Sequence, residues 1–132
     1  MITYRDAPPV PADQLATLFA AVAFSRERDA ATLTAMVEGS RWIVSAWDGE
    51  RLVGFARALS DGVQNAYVST VCVLPDYQRR GIGRELMRRL LDGRDHVKWV
   101  LHTRPNARRL YESLGFADAT EMLVRERRER KG

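Results

Sequence analysis

The sequence predicts a mixed α/β domain in which an antiparallel meander joins a parallel β-α-β unit. Three observations lead there. Two turn signals, Asp48-Gly49 and Asp61-Gly62, separate three runs of strand-forming residues. The end of the third run, residues 71–74, is apolar without a break, as in a central strand. A stretch of helical period then lies between that strand and another strand-like run at 97–102.

The elements follow in order. Residues 1–5 read as a short edge strand and 7–11 as a proline-rich break. Residues 12–23 predict a helix with Leu15, Leu18, Phe19 and Val22 on one face. A second helix over 29–37 buries Leu33, Met36 and Val37, and Gly39 stops it. Strands are expected over 42–47, 51–59 and 65–74, with Pro75 ending the third. The helix at 81–91 has the apolar face Ile82, Leu86, Met87 and Leu90, and Gly93 closes it. The strand at 97–102 should run parallel to 65–74, because a helix crosses over between them. A short helix at 106–114, closed by Gly115, and a last strand at 121–124 complete the order. Residues 1–126 form one domain in this reading, and 127–132 are a basic tail.

Composition narrows the function. The 132 residues are 45% apolar and 29% charged, an ordinary globular balance. Cys72 is the one cysteine, so an internal disulfide and a cysteine-rich metal site are excluded, and no metal is expected. That fits a reducing compartment, and a cytoplasmic location is the expectation. No apolar run approaches the roughly 20 residues that span a bilayer. The first ten residues lack the pattern of a secretory signal, and no membrane partner is expected. The net charge of +4 owes much to arginines at 79–89 and in the tail from 125 to 131. The tail reads as a solvated end of mixed sign, against a nucleic-acid arm. Aromatic and basic residues do not interleave as they do in single-strand binders, and no nucleic-acid partner is expected.

The most informative stretch is residues 71–83, where a buried strand runs into a glycine-bearing turn that opens a helix. Such a turn aims several backbone N–H groups at one spot, with the positive end of the helix dipole behind them. A pyrophosphate suits that spot. Gly81 and Gly83 would let the backbone come close to it, and Arg79, Arg80 and Arg84 would add charge. By itself the pattern also fits a glycine-softened helix start on a basic surface. It has neither the Lys-Ser/Thr pair of a P-loop nor the full GxGxxG of a dinucleotide fold.

Two motifs carry a family resemblance. Gln78-Arg79-Arg80-Gly81-Ile82-Gly83 resembles the Q/R-x-x-G-x-G/A signature of the GNAT acetyltransferases, within the longer match V-x-V-x-P-x-Y-Q-x-x-G-I-G-x-x-L. The pattern A-x-x-L-Y-E-x-L-G-F, beginning at Ala107 and ending at Phe116, is similar to a second signature of that family. The element order is also the family's, so the resemblance covers nearly the whole chain. It implies an acyl-CoA N-acyltransferase (GNAT) fold in which a bulge splays the central parallel pair and acetyl-CoA lies in the wedge. The turn, Gln78 to Arg84 with Ile82 inside it, would then bind the pyrophosphate, and the backbone of Val71, Cys72 and Val73 would face the pantetheine arm.

Tyr111 matches the tyrosine that protonates the departing thiolate in this family. A phenol, with an ordinary pKa near ~10, is a proton donor at neutral pH. Its alternative is packing beside Leu110 and Leu114 on an amphipathic helix. Many members carry an asparagine seven residues before this tyrosine. Arg104 stands there, and Asn106 lies five before, where it reads as a helix cap or a displaced cofactor contact.

The base is less marked. His102 ends a core strand near the expected wedge and titrates near neutrality; its alternative is a strand-end histidine held by a backbone group. Thr70, with Ser69 and Tyr67, could orient a water. Glu112 should face solvent, and His96 has no assigned role. Cys72 should be packing and not a nucleophile, since the family transfers acetyl directly. A narrower resemblance rests on residues 52–58 followed by Ser60-Asp61 and Asn65-Ala66. These look like the plastid-type and cyanobacterial arylalkylamine (serotonin) acetyltransferases, although Thr70 stands where those often have aspartate.

The resemblance implies an enzyme that moves acetyl from acetyl-CoA to a primary amine: an arylalkylamine, a polyamine-like amine or a protein amine. The competing reading is a non-catalytic acetyl-CoA-binding regulatory module. Small members often dimerise, and a homodimer through an apolar sheet edge is expected.

Overall fold

The computed structural model describes residues 1–22 and 28–128 in two compact units, Met1–His102 and Thr103–Gly132. The first unit holds β1 (Ile2–Arg5), α1 (Ala12–Ala21), α2 (Ala30–Glu38), β2 (Trp42–Asp48), β3 (Arg51–Ser60), β4 (Asn65–Val73), α3 (Ile82–Leu91) and β5 (Lys98–Leu101). Its sheet has the order β1-β2-β3-β4-β5. Every neighbouring pair is antiparallel except β4 and β5, which are parallel and joined through α3. This is the meander and β-α-β unit that the turn signals and the crossover helix predict.

Adjacent residues of a strand point to opposite faces, and β3 uses both. Phe55 meets Phe19 of α1 edge-on, with ring centroids 6.3 Å apart. Its neighbour Gly54 faces α3: a Cβ there would stand 3.2 Å from both Ile82 Cγ2 and Leu86 Cδ1. The missing side chain lets α3 lie close on the sheet. α1 and α3 therefore cover opposite faces. α1 buries Leu15, Leu18 and Phe19, and α3 buries Ile82, Leu86, Met87 and Leu90. The glutamine of α1 also ties the helix to the hairpin, since Gln14 accepts from the Leu52 amide and donates to the Glu50 carbonyl.

α2 starts one residue later than expected because Asp29 caps it, accepting from the Thr32 amide at 2.7 Å. The expected end of α1 at Ala23 and the last residues of the basic tail, 129–132, lie outside the described residues.

The second unit contains a 3₁₀ turn, Pro105–Ala107, followed by α4 (Arg108–Ser113). Two expectations fail here. Asn106 does not cap α4: it sits inside the 3₁₀ turn, Ala107 holds the cap position, and no side chain bonds there. The pyrrolidine of Pro105 pre-sets the tighter turn and moves the helix start past the asparagine. Residues 121–124 form no strand. Met122, Leu123 and Val124 are exposed, Leu123 at 97%, and no described strand pairs with them. Their apolar run has strand composition, but a strand needs a ladder partner to satisfy its backbone.

Candidate functional site

The site begins where β4 and β5 part. They pair only from Asn65↔Lys98 to Val68↔Leu101, while β4 continues to Val73 on its β3 side. From Ser69 to Val73 the outer edge of β4 has no strand partner among the described residues. The cause is a bulge. Arg57 pairs with Thr70 and Ala58 with Val68, so Ser69 is one residue too many for β3. A bulge bends its strand and raises the local twist, which turns the second half of β4 out of register with β5. Val71, Cys72 and Val73 lie on this one-sided stretch. Cys72 is buried, and burial pushes its thiol up to about 12, so it stays protonated and packs.

Beyond β4 the chain makes a 3₁₀ turn at Pro75–Tyr77. The Gln78 side-chain amide donates back to the Val73 carbonyl at 2.9 Å and closes the turn. The Tyr77 hydroxyl donates to Asp48, and its ring lies near the guanidinium carbons of Arg80, at 5.1 Å, and Arg51, at 5.6 Å. Two residues then take the left-handed conformation, Arg79 with φ 65° and Gly81 with φ 80°. For arginine that costs about 1–2 kcal/mol, a strain of the kind found at ligand sites.

Gly81 occupies the cap position of α3 and offers no side-chain acceptor. No side chain at the cap position accepts from the first N–H groups of α3, which form the positive end of the helix dipole. The Ile82 side chain is buried beneath the sheet, while Gln78, Arg79, Arg80, Gly81 and Arg84 are exposed. Glu85, one turn in, does not fill the opening. It is bound to Arg88 at 2.6 Å and Arg89 at 2.9 Å, which hold its carboxyl near 2.

At the mouth of the splay, Thr70 is buried and its hydroxyl accepts from Arg57 Nε at 3.0 Å. Arg57 also donates to Ser69 at 3.0 Å and to Ser40 at 3.4 Å. This arginine was not legible as a site residue, because only the bulge register brings residues 40, 57, 69 and 70 together. His102, next after β5, is exposed and meets Tyr67 edge-on at 6.0 Å. Thr70, Tyr67 and His102 are thus gathered near the parting of β4 and β5, and residues 71–84 lead away from it to α3.

Tyr111 and Asn106 belong to the second unit. Tyr111 is 9% exposed and stacks edge-on with Phe116, with centroids 6.0 Å apart. Burial raises its phenol above the usual value, so it holds its proton at neutral pH. The C-terminal end of α4 is closed by the Tyr111 carbonyl, which accepts from the amides of Leu114 and Phe116. Glu112 is exposed and pairs with Arg108 at 3.6 Å, and His96 is exposed in its loop. Among the described residues, no cluster of three or more His, Cys, Asp or Glu could hold a metal ion. No helix of the described residues is long and apolar enough to cross a membrane.

The family model described as "Acetyltransferase (GNAT) family" matches residues 11–116. The chain is 34% identical over 130 residues to "GCN5-related N-acetyltransferase 1, chloroplastic" of Arabidopsis thaliana, which covers 90% of this chain and 65% of that protein. It is 44% identical over 70 residues to "Serotonin N-acetyltransferase 2, chloroplastic" of rice, Oryza sativa subsp. japonica, covering 51% of this chain and 35% of that one. The chain thus spans less than two thirds of the length of these curated relatives. A solved GNAT-family acetyltransferase of Streptococcus pneumoniae superposes with a TM-score of 0.80 at 30% identity, over 97% of this chain and all of that one. A sheet parted at a β4 bulge, an uncapped helix behind it and a family match over 11–116 agree: this chain belongs to the GNAT acetyltransferase family.

Proposed function

We propose that this protein is an N-acetyltransferase that moves an acetyl group from acetyl-CoA to a primary amine by direct attack. The observation that carries the proposal is the continuity of the half-paired edge of β4 with the uncapped N-terminus of α3. A pyrophosphate fits the uncapped amides and exposed arginines of the turn, and an amide-bearing arm fits a strand edge with unpaired backbone groups. The residues for this role are Val71, Cys72 and Val73 on the strand, through their backbones, and Gln78, Arg79, Arg80, Gly81, Ile82, Gly83 and Arg84 on the turn. Acetyl-CoA supplies the activated acyl group. Asn106 has lost its capping role, and a contact to the cofactor is the part left for it in this proposal.

The chemistry requires that the amine nitrogen lose a proton as it bonds the acetyl carbon, and that the leaving sulfur gain one as its bond breaks. We assign the second proton to Tyr111, whose burial keeps it on the oxygen. The first goes to His102, or to a water held by Thr70. The Thr70 oxygen accepts from Arg57, which leaves its own hydrogen free to orient that water. The family match runs across both units, which supports reading residues 1–126 as one catalytic domain and 127–132 as a tail.

The same reading includes a cytoplasmic enzyme that forms a homodimer and uses neither nucleic acid nor membrane. The acceptor is an arylalkylamine, a polyamine-like amine or a protein amine; the serotonin acetyltransferase named among the relatives supports the first of these. An amine panel that follows CoA release from acetyl-CoA tests the proposal. Amine-dependent release is the expected result. Tight acetyl-CoA binding with no release from any class of amine would overturn it in favour of a regulatory module.

A further inference from the structure

We propose that Arg57 binds the acceptor, and that the amine acetylated here is a small molecule carrying a carboxylate close to its amino group. The inference rests on the acetyltransferase reading above and names the acceptor class that the reading leaves open.

Arg57 stands at the right end of the cleft. If the pyrophosphate lies at Gly81 and the arm follows β4 backward, its reactive end points toward Ser69 and Thr70. The four residue steps from Val73 to Ser69 span about 13 Å of strand. Arg57 sits directly across from Thr70 and beside the Ser69 bulge.

Its partners are unusual for a half-buried cation. Nε donates to Thr70, one terminal nitrogen to Ser69 and the other to Ser40, and all three acceptors are neutral hydroxyls. No carboxylate among the described residues lies within ion-pair distance of it. Arg28 adds a second positive charge to its surroundings, and desolvation followed by Arg28 depresses the Arg57 pKa. A desolvated guanidinium without a counter-ion is costly, and the described residues supply none.

The donor count leaves capacity for one. A guanidinium has five N–H donors, and three of them serve the hydroxyls. The remaining two are one on each terminal nitrogen, the pair that an end-on carboxylate takes. The Ser69 hydroxyl can turn its hydrogen toward the same anion, while that of Ser40 is donated to the Met36 carbonyl at 2.7 Å. The guanidinium repels acceptors that carry extra cations, so polyamines fit this cluster worst.

The test compares amines in matched pairs, each an amino acid and its carboxamide, by turnover and by thermal shift of the CoA-saturated protein. The parent should favour the carboxylate member by about 10- to 100-fold in kcat/KM, mostly through KM, as expected for a charge-assisted pair. The carboxylate member alone should raise the melting temperature. In Arg57→Gln this preference should collapse, with a far smaller loss on the carboxamide and unchanged acetyl-CoA affinity. Equal use of both members by the parent would overturn the proposal, as would a preference for polyamines or no carboxylate-dependent thermal shift. An equal fall for both members in Arg57→Gln would make the residue a clamp between α2 and the bulge. Failure of the acetyltransferase reading has a different signature: no CoA release by the parent with any amine, whether or not acetyl-CoA binds.

Discussion

Two helices of this chain begin in opposite ways. α2 is closed by its own carboxylate: Asp29 accepts from the Thr32 amide, and that bond holds the carboxyl below its ordinary pKa. α3 begins at a left-handed glycine with no side-chain acceptor, among exposed arginines, and the nearest acid is held by Arg88 and Arg89. The same backbone amides are offered in both places. In α2 they serve the fold. In α3 no side chain at the cap position takes them, the one-sided edge of β4 leads to them, and they are the amides proposed to hold the pyrophosphate.

Putting an anion into the open start should have the largest effect. Gly83→Asp places a carboxylate where the pyrophosphate is proposed to bind, and acetyl-CoA affinity should fall by at least about 100-fold while the protein still folds. Titration calorimetry and a melting curve read the two quantities separately, and parental affinity in the variant would remove the turn from the site.

Next in size is Tyr111→Phe. The Phe116 contact is kept and only the hydroxyl is lost, so turnover should drop by about 100-fold, the low end for general acid catalysis, because a thiolate is already a fair leaving group. Acetyl-CoA affinity should change little. Equal turnover in both proteins would leave Tyr111 as packing.

The smallest effect belongs to the closed start. Asp29→Ala should lower the melting temperature by a few degrees at pH 7 and leave acetyl-CoA affinity unchanged. The folded-state pKa of Asp29 is depressed, so its contribution is present above the unfolded value near ~3.9 and fades as pH falls below it. Parent and variant should therefore converge as the pH falls, and a gap that stays constant throughout the acid range would show that the cap is not the cause.

What could be read from the sequence was local. Asp48-Gly49 marks its hairpin, the Ile82–Leu86–Met87–Leu90 stripe marks the buried face of α3, and the glycines of the turn mark a helix start that no side chain caps. The parting of β4 from β5 has no local signal and came only from the resemblance. Arg57 was missed for the same reason: its partners at 40, 69 and 70 meet through a bulge that shifts the register by one residue. Residues 121–124 were misread because strand composition does not supply a neighbouring strand, and Asn106 because the proline before it tightens the turn.

The central claim is that the open start of α3 holds the pyrophosphate of acetyl-CoA. The direct measurement is a pair of calorimetric titrations of the parent protein, one with acetyl-CoA and one with acetyl-pantetheine, which keeps the arm and thioester but lacks the pyrophosphate. Acetyl-CoA should bind at least about 100-fold more tightly, the share expected from several charge-assisted contacts, and added salt should narrow the gap. Equal affinity for the two ligands would contradict the account and leave the uncapped helix without an anion to hold.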